Sequence, residues 1–457
     1  MLLVCPVDQR ASASRSRNVW RTRLVNRAGP TRHVGSIPDP PQAGRARHPR
    51  PSSPPSTISP SVVIRTPDSD ASIGFVSTYP QTVCGLASYT AALIGGIAGY
   101  RGSRSGLGVV DLNDSAIPST TGDVAYQHRI GDRHSLETAI RVLNGFDAVS
   151  IQHEFGIFGG RDGDEVIDLI AGITVPTAVT FHTVLEHPSE HQRMIIDDLC
   201  AHADRLVVMS GIASQRLASC YGVDPARIDM IPHGVDTGFG GPSLVNGGRP
   251  LVLTWGLIGP GKGLESAIEA FAGLTDLASS PRYLISGATH PRVREKAGES
   301  YREGLVALAR RHELENVVEF DDRYVDREAL ARLVRSADLV VLPYESVEQL
   351  TSGVLVEAIA AGKPVVATAF PHAVELLSGG AGVVVPHGDT AALRAAIGGL
   401  LSDGPARSAM AREARRLADG WDWPVIGQRF GAMISEMAST RRSERTSAAP
   451  ARHHAVA

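Results

Sequence analysis

The stretch LVVLPYESVEQLTSGVLVEAIAAGKPVVAT, residues 339–368, decides the fold. An apolar strand ends at Pro343, and after a polar loop Thr351, Ser352 and Gly353 open a helix that leads into another apolar strand. Near-continuous apolar strands that alternate with helices are typical of a parallel sheet covered by helices on both faces. The segment therefore predicts an α/β fold.

The same alternation extends over most of the chain and falls into two series. The first series of predicted strands covers residues 73–77, 109–112, 148–152, 177–181, 206–210 and 228–232. The second series covers residues 251–255, 283–286, 317–320, 339–342, 365–367 and 383–385. A Gly-rich segment, 233–249, separates the two series. We therefore expect two doubly wound domains that face each other across a cleft, with ligands bound beyond the carboxyl ends of the strands.

The composition suits soluble globular domains, since 43% of the 457 residues are hydrophobic and 20% are charged. The net charge of −3 is unevenly distributed: residues 1–60 carry +8 and residues 441–457 carry +3, which leaves −14 for residues 61–440. An acidic folded body repels phosphate backbones and disfavours a nucleic-acid partner. The four cysteines are far apart and no apolar run reaches the length of a membrane span, so we expect a cytoplasmic protein.

The two ends of the chain lack the periodicity of folded segments. Residues 1–68 are rich in Pro, Arg and Ser, and we predict that they are disordered, like the tail at 439–457. The basic N-terminal segment is an arm for acidic lipid or RNA, or simply a solvated stretch. Another interpretation is that it precedes the true start, with Val62 or Val63 read as the initiator.

The helix start at 351–353 is a candidate anion site. Hydroxyl side chains cap some of the first amides of a helix, and the amides left unpaired bind anions together with the helix dipole. Glu357 lies about one turn further on, and a carboxylate can accept two hydrogen bonds from a vicinal diol such as ribose. The combination suits a nucleoside diphosphate. The alternative is a plain strand-helix unit with a good N-cap.

A second Gly-rich loop lies in LVLTWGLIGPGKGLESAIEAF, residues 251–271. The spacing from Gly256 to Gly261 and Lys262 is nearly that of a Walker A loop, but Gly263 occupies the place of the Ser or Thr that binds Mg²⁺. A P-loop ATPase is therefore disfavoured. Lys262 remains a candidate cation for a diphosphate leaving group, or else a surface lysine in a tight turn.

Two short patterns raise the question of a metal. His187-Pro-Ser-Glu-His191 matches the inverted zinc-protease motif, and two histidines four residues apart share a face of a helix. A zinc hydrolase is therefore a minor alternative. Asp162-Gly-Asp164 also resembles a metal-binding pair, but we interpret it as the N-cap of a helix.

The first series of strands offers further candidates at the ends of its strands. Gly85, in YPQTVCGLASYT, opens a helix after the first strand, so it is either a phosphate-approaching amide or a turn glycine. His182 follows the strand TAVTF and is expected to point into the cleft. His153 and Glu154 occupy an analogous place after AVSIQ, with a weaker signal.

These motifs together resemble the retaining glycosyltransferases of family 4, which have the GT-B fold, over about residues 70–437. The matching segments are IPHGVD at 231–236, 256–263 with Lys262, Gly287 after RYLIS, and 353–368.

The resemblance implies two Rossmann-like domains and a closing helix. It implies an N-terminal acceptor-side domain at 69–235, a C-terminal nucleotide-sugar-binding domain at 236–420, and a helix at 421–438 that crosses back to the first domain.

The resemblance also implies roles for individual residues. Glu357 would bind the ribose, while Lys262, the neighbouring Gly261 and the amides of Thr351, Ser352 and Gly353 would bind the diphosphate. Gln349 or Glu348 would lie near the donor sugar. Gly85 and Gly287 would approach the donor phosphates and nucleotide, and His182 would lie near the reacting centre.

Two positions depart from the family pattern. Leu257 stands where the family usually has an Arg, and Gln349 stands where it usually has a Glu, with Glu348 beside it. The resemblance still implies metal-independent retaining transfer from a nucleotide sugar, without a cofactor, to a glycan, lipid or small-molecule acceptor. We expect a cytoplasmic location with peripheral contact at the inner membrane face. The alternative is a non-catalytic GT-B scaffold that binds a nucleotide sugar.

Overall fold

The computed structural model describes residues 70–447, except 114–118, 120, 245–247, 278–279 and 324. The segment predicted to be disordered at 1–68 lies outside the described residues, as do residues 448–457 of the predicted tail.

The first described sheet has seven parallel strands in the order β3-β2-β1-β4-β5-β6-β7. Its strands are β1 (Ile73–Ser77), β2 (Leu107–Leu112), β3 (Val124–His128), β4 (Ala148–His153), β5 (Thr177–Phe181), β6 (Arg205–Val208) and β7 (Ile228–Met230). Its helices are α1 (Gly85–Arg101), α2 (Arg133–Leu143), α3 (Glu165–Gly172), α4 (Glu190–His202) and α5 (Gly211–Tyr221). The order reverses at β1, between β2 and β4, and this is the point where doubly wound sheets bind their ligands.

Strand β3 is absent from the sequence prediction. It forms the edge of the sheet, and four of its five residues are only partly buried or exposed. An edge strand therefore lacks the continuous apolar run by which the buried strands were recognised.

The second described sheet has six parallel strands in the order β10-β9-β8-β11-β12-β13. Its strands are β8 (Leu251–Trp255), β9 (Arg282–Ser286), β10 (Val318–Asp321), β11 (Leu339–Leu342), β12 (Val365–Thr368) and β13 (Gly382–Val385). Its helices are α6 (Leu264–Phe271), α7 (Pro291–Ala297), α8 (Ser300–Arg311), α9 (Arg327–Ser336), α10 (Gly353–Ala360), α11 (Pro371–Leu377), α12 (Thr390–Ser402) and α13 (Gly404–Leu417). Here the order reverses at β8, between β9 and β11.

The last helix, α14 (Trp423–Ser447), crosses back to the first sheet and packs on α1. The two helices approach closely at a pair of glycines, because a Cβ on Gly96 would lie 2.2 Å from the Trp423 oxygen and one on Gly427 would lie 2.2 Å from the Gly96 carbonyl carbon. The helix extends to Ser447, which corrects the expected end at 438 and places part of the predicted 439–457 tail in regular structure.

None of the described helices combines the length and the apolar character needed to cross a lipid bilayer.

Candidate active site

A cleft of about 760 Å³ lies between the two sheets. Its walls come from the start of α1 at Gly85, the ends of β8 and β9 at Trp255 and Gly287, and helices α9 and α10, with Arg327 and Glu357. The carboxyl ends of both sheets therefore open onto one cavity, and three of the residues predicted for donor binding, Gly85, Gly287 and Glu357, meet there.

Glycine is required where β8 and β9 end. Gly287 has φ +143°, and a Cβ on it would lie 2.0 Å from the carbonyl oxygen of Gly256. The Gly256 N–H in turn donates to the Ser286 carbonyl at 2.9 Å. Any side chain at 287 would force the two loops apart, so the floor of the cleft depends on this close backbone contact.

Glu357 is 7% exposed and is held from two sides. Its Oε2 accepts a hydrogen bond from Trp255 Nε1 at 3.1 Å, and its Oε1 accepts one from Arg327 at 2.6 Å. Arg327 also donates to Asp236 at 2.7 Å. Burial disfavours the charge on Arg327, but the two carboxylates outweigh it and raise the pKa of the guanidinium. Each oxygen of Glu357 keeps acceptor capacity for a diol.

Lys262 lines a smaller cavity that adjoins the main cleft and shares Trp255, Gly256 and Leu257 with it. Its Nζ lies 4.2 Å from the centre of the Tyr344 ring. Burial lowers the pKa of Lys262 to about 8, because no described carboxylate pairs with the ammonium. A partly desolvated ammonium is strongly stabilised when an anion binds next to it.

The helix start at Thr351, Ser352 and Gly353 is buried. Ser352 Oγ accepts from the Leu355 N–H at 3.2 Å, which confirms the N-cap. The Ser352 N–H donates to His372 Nδ1 at 2.9 Å, so one of the three amides expected at the diphosphate is already used. Among the described residues, the N–H groups of Gly353 and Val354 have no acceptor, and these two remain available.

In the loop before this helix, the side chains of Gln349 and Glu348 have partners in different domains. Gln349 is 4% exposed, and its Nε2 donates to the Thr351 carbonyl at 2.6 Å. The Glu348 carboxylate instead forms an ion pair with Arg216 of α5. Glu348 therefore faces the first domain and is unsuited to replace the Glu that the family has at position 349.

His182 is buried directly after β5 and is not among the described residues that line the cleft, so it does not open into the cleft as expected. Its Nε2 lies 2.8 Å from Gln152 Oε1, and its ring meets Tyr89 edge-on at 4.8 Å. Burial lowers the pKa of His182 well below its ordinary value, so the imidazole is neutral. Since Nε2 donates to the Gln152 oxygen, Nδ1 is an acceptor, and it has no partner among the described residues.

The weaker pair after β4 separates into a core residue and a polar one. His153 packs among Phe155, Phe158 and Phe181, which makes it part of the core. Glu154 accepts hydrogen bonds from Thr183 Oγ1 at 2.6 Å and from the Phe155 N–H at 3.1 Å. Burial raises the pKa of Glu154 to about 7, against the effect of these two bonds.

The zinc pattern does not form a metal site. Helix α4 begins at Glu190 with Ser189 as its N-cap, so His187 and His191 are not two residues of one helix face. His191 instead contacts Asp162 at 3.0 Å and Asp164 at 3.2 Å. The described residues contain no group of three or more His, Cys, Asp or Glu that could hold a metal ion.

The N-cap interpretation of the aspartate pair is confirmed for the position of Asp164 but not for a capping hydrogen bond. Asp164 stands at the N-cap position of α3, but its side chain accepts no capping hydrogen bond. The carboxylates of Asp162 and Asp164 contact His191 instead.

Two family models match consecutive parts of the chain. Residues 125–239 match the model described as Glycosyltransferase Family 4, and residues 241–417 match the model described as Glycosyl transferases group 1. The chain belongs to glycosyltransferase family 4. The family predicted from the sequence motifs is thereby confirmed.

Two relatives of this family 4 chain share the name D-inositol 3-phosphate glycosyltransferase. The protein of Mycobacterium sp. (strain JLS) is 32% identical over 259 residues, which cover 54% of this chain and 55% of the relative. The protein of Kineococcus radiotolerans is 30% identical over 268 residues, which cover 53% of this chain and 59% of the relative. The chain thus spans a little over half the length of these relatives.

Solved structures share the fold with this family 4 chain. Anabaena HepE in complex with UDP superposes with a TM-score of 0.63 at 19% identity, over 80% of this chain and 99% of that one. Sucrose-phosphate synthase from Thermosynechococcus elongatus gives 0.61 at 19% identity, over 80% and 99%. These likenesses, with the two parallel sheets, confirm the predicted GT-B fold.

Several residues of the family 4 cleft were not predicted from the sequence. Trp255, Arg327 and His372 hold Glu357 and Ser352 from separate elements, and no local motif marks them. At Leu257, where the family usually has an Arg, the side chain is 8% exposed and lines the cleft. Arg323 also lines the cleft and forms a 2.8 Å ion pair with Asp321.

Proposed function

We propose that the protein transfers a sugar, with retention of its anomeric configuration, from a nucleoside diphosphate sugar to a hydroxyl acceptor. The observation that carries this proposal is the meeting of Glu357, Gly287 and Gly85 in one cleft between two doubly wound sheets. This combination suits a nucleotide ligand, because it includes a carboxylate that can bind a diol, a close backbone contact at Gly287 and the start of a helix.

The donor would lie along the second sheet. Its ribose would bind Glu357, and its diphosphate would bind Lys262 and the N–H groups of Gly353 and Val354. The start of α1 at Gly85 would approach the phosphates from the first domain. The complex of HepE with UDP supports a uridine donor as the first candidate.

The chemistry would be a front-face substitution. The bond between the anomeric carbon and the diphosphate oxygen breaks, the bond to the acceptor oxygen forms on the same face, and the acceptor proton passes to the departing diphosphate. Gln349 is a neutral amide and Glu348 is paired with Arg216, so neither is placed as a carboxylate nucleophile. Stabilisation of the diphosphate charge by Lys262 and the amides would then be the main catalytic effect, without a metal.

The acceptor would bind against the first sheet. The unpaired Nδ1 of neutral His182 would accept a hydrogen bond from a sugar hydroxyl near the reacting carbon. The acceptor class is a glycan, a lipid or a small molecule. The names of the relatives make D-inositol 3-phosphate one compound to test. The proposed setting is the cytoplasm, with peripheral contact at the inner membrane face for a lipid acceptor.

Nucleotide release tests the proposal. Purified protein is incubated with UDP- and GDP-sugars and a panel of acceptors, and release of UDP or GDP is measured with and without EDTA. We expect release that depends on the acceptor and is unchanged by EDTA, with a product of retained anomeric configuration by NMR. A failure of every donor to bind or react overturns the proposal.

A second candidate, a scaffold that binds a nucleotide sugar without transfer, is favoured by Leu257 and Gln349 at family positions for Arg and Glu. The variants Leu257→Arg and Gln349→Glu separate the two candidates. If the wild type is inactive and the variants gain activity, the site is decayed. If the wild type is active and the variants lose activity, the protein is a specialised enzyme.

A further inference from the structure

A short loop of the second domain is seated on the first domain. Glu348 forms an ion pair with Arg216 of α5 and also accepts from the Glu186 N–H at 3.4 Å. Two residues later, Leu350 is 2% exposed and belongs to the apolar core cluster of the first domain that includes Val184. A polar and an apolar contact therefore hold the same loop.

Arg216 is the centre of this contact. It is 7% exposed, and its Nη1 donates to the Val184 carbonyl at 3.0 Å while its Nη2 pairs with Glu186 at 2.8 Å. A buried guanidinium is costly unless its charge and its N–H groups are satisfied. The second domain supplies one of its two carboxylate partners, Glu348, so the ionic environment of Arg216 is complete only when the domains are docked.

Helix α5 makes a second contact with the other domain. Glu375 of α11 accepts hydrogen bonds from the Gly211 N–H at 2.8 Å and the Ile212 N–H at 3.0 Å, which are the first amides of α5. A carboxylate at this position satisfies unpaired amides and the helix dipole. The helix is thus bound to the second domain at its start through Glu375 and along its length through Arg216.

These contacts converge on both halves of the proposed reaction site. Gln349 lies between Glu348 and Leu350, and the loop continues into the buried helix start at Ser352. On the other domain, the Val184 carbonyl that Arg216 binds lies two residues after His182. Arg216 therefore connects the segment that carries Gln349 with the segment that carries His182.

We propose that Arg216 is a positioning residue, which locks the loop 348–350 onto the first domain and so aligns the donor-sugar side of the cleft with the acceptor side. The inference rests on the proposed glycosyl transfer. Loosening the loop would open the reacting centre to water, and we therefore expect lower transfer and more hydrolysis of the donor.

The test uses Glu348→Gln and Arg216→Met in the full chain, with Asp229→Asn as a matched control. Asp229 pairs with Arg205 inside the first domain, and its side chain is 22% exposed against 21% for Glu348. Amide hydrogen exchange of residues 345–352, measured without ligand, reports how tightly loop 348–350 is held on the first domain. Steady-state kinetics report transfer, donor KM and donor hydrolysis.

We expect exchange in 345–352 to be about tenfold faster in both test variants than in wild type or Asp229→Asn, since a charge-assisted contact is lost. We expect kcat to fall about 10- to 100-fold, with donor KM within about twofold of wild type and a larger hydrolysed fraction. The Glu348→Gln variant keeps the test valid if Arg216→Met fails to fold, because Arg216 then retains Glu186.

Three results would overturn the inference: unchanged exchange, faster exchange with unchanged kcat, or a loss of activity that appears equally in Asp229→Asn. Failure of the proposed function is distinguishable, because hydrogen exchange needs no turnover. Wild type without activity toward any donor would refute glycosyl transfer, and the positioning role with it, while the exchange data alone would decide whether the lock exists.

Discussion

The two sheets present different chemistry at their carboxyl ends, although both are doubly wound and parallel. The second sheet brings cations to the cleft, in Lys262 and Arg327, together with helix amides that have no acceptor among the described residues. At the carboxyl ends of the first sheet lie a neutral imidazole, His182, and a buried carboxyl group, Glu154, neither of which is among the described residues that line the cleft. The folded body is acidic overall, so its anionic ligand must be held by local groups of the second sheet.

One fold, used twice, thus divides the proposed reaction into an anion-binding half and a hydroxyl-binding half. Substitutions in each half test this division.

Replacement of Lys262 tests the anion-binding half. We expect Lys262→Ala to lower kcat/KM about 1000-fold, because the cation next to the leaving diphosphate is lost. The pKa of Lys262 is lowered to about 8, so its charge, and activity in the free enzyme, should fall as pH rises through 8. Rates from pH 6 to 10 measure both effects.

Lys296 provides the matched control, since it is an exposed lysine of α7 outside the cleft. Lys296→Ala should keep wild-type activity. Equal activity of Lys262→Ala and Lys296→Ala would contradict the proposed anion-binding role of the second sheet.

Glu154 tests the chemistry of the first sheet. Its pKa is raised from 4.5 to about 7 by burial, so the folded chain binds this proton more tightly than the unfolded chain. Stability should therefore fall as pH rises from about 5 to about 8, by about 3 kcal/mol from this group. Urea unfolding of wild type and Glu154→Gln at both pH values measures the difference, which the variant should lack.

The exposed Glu137 of α2 is the control for this measurement. Glu137→Gln should show the same pH dependence as wild type. If Glu154→Gln also keeps the wild-type pH dependence of stability, the carboxyl group of Glu154 is not buried in a neutral form.

Glu357 tests the ribose contact, with a smaller effect. We expect Glu357→Gln to raise donor KM about 30-fold and to leave kcat nearly unchanged, because the diol contact is made in both ground and transition state. The amide keeps one acceptor for Trp255, which limits the loss of stability. Initial rates over a range of donor concentrations check this, and a change in kcat alone would contradict it.

Much of the fold could be predicted, because every strand with a continuous apolar run was found from the sequence. Strand β3 was not predicted because it is half-buried at an edge of the sheet. The last turns of α14 were not predicted because their sequence, STRRSERTS, is polar. A run of polar residues leaves no apolar period to detect.

The donor half of the site was predictable because its residues lie in strand-helix junctions that each form a local motif. The partners of those residues were not, since they come from distant segments. Glu348 and Arg216 are 132 positions apart, and Trp255 and Glu357 are 102 apart. The sequence suggested that Glu348 lies near the donor sugar, whereas only the packing of the domains shows that it pairs with Arg216.

The most direct test of the division between the halves is a paired assay of donor binding and nucleotide release. Thermal shifts with a panel of nucleotide sugars identify the donor, since bound ligand raises the melting temperature. Release of the nucleoside diphosphate is then followed for wild type, Lys262→Ala and His182→Ala. We predict that Lys262→Ala weakens both the shift and the release, whereas His182→Ala keeps the shift and loses release. No thermal shift with any donor, or an equal loss of the shift in both variants, would contradict the division between the two halves.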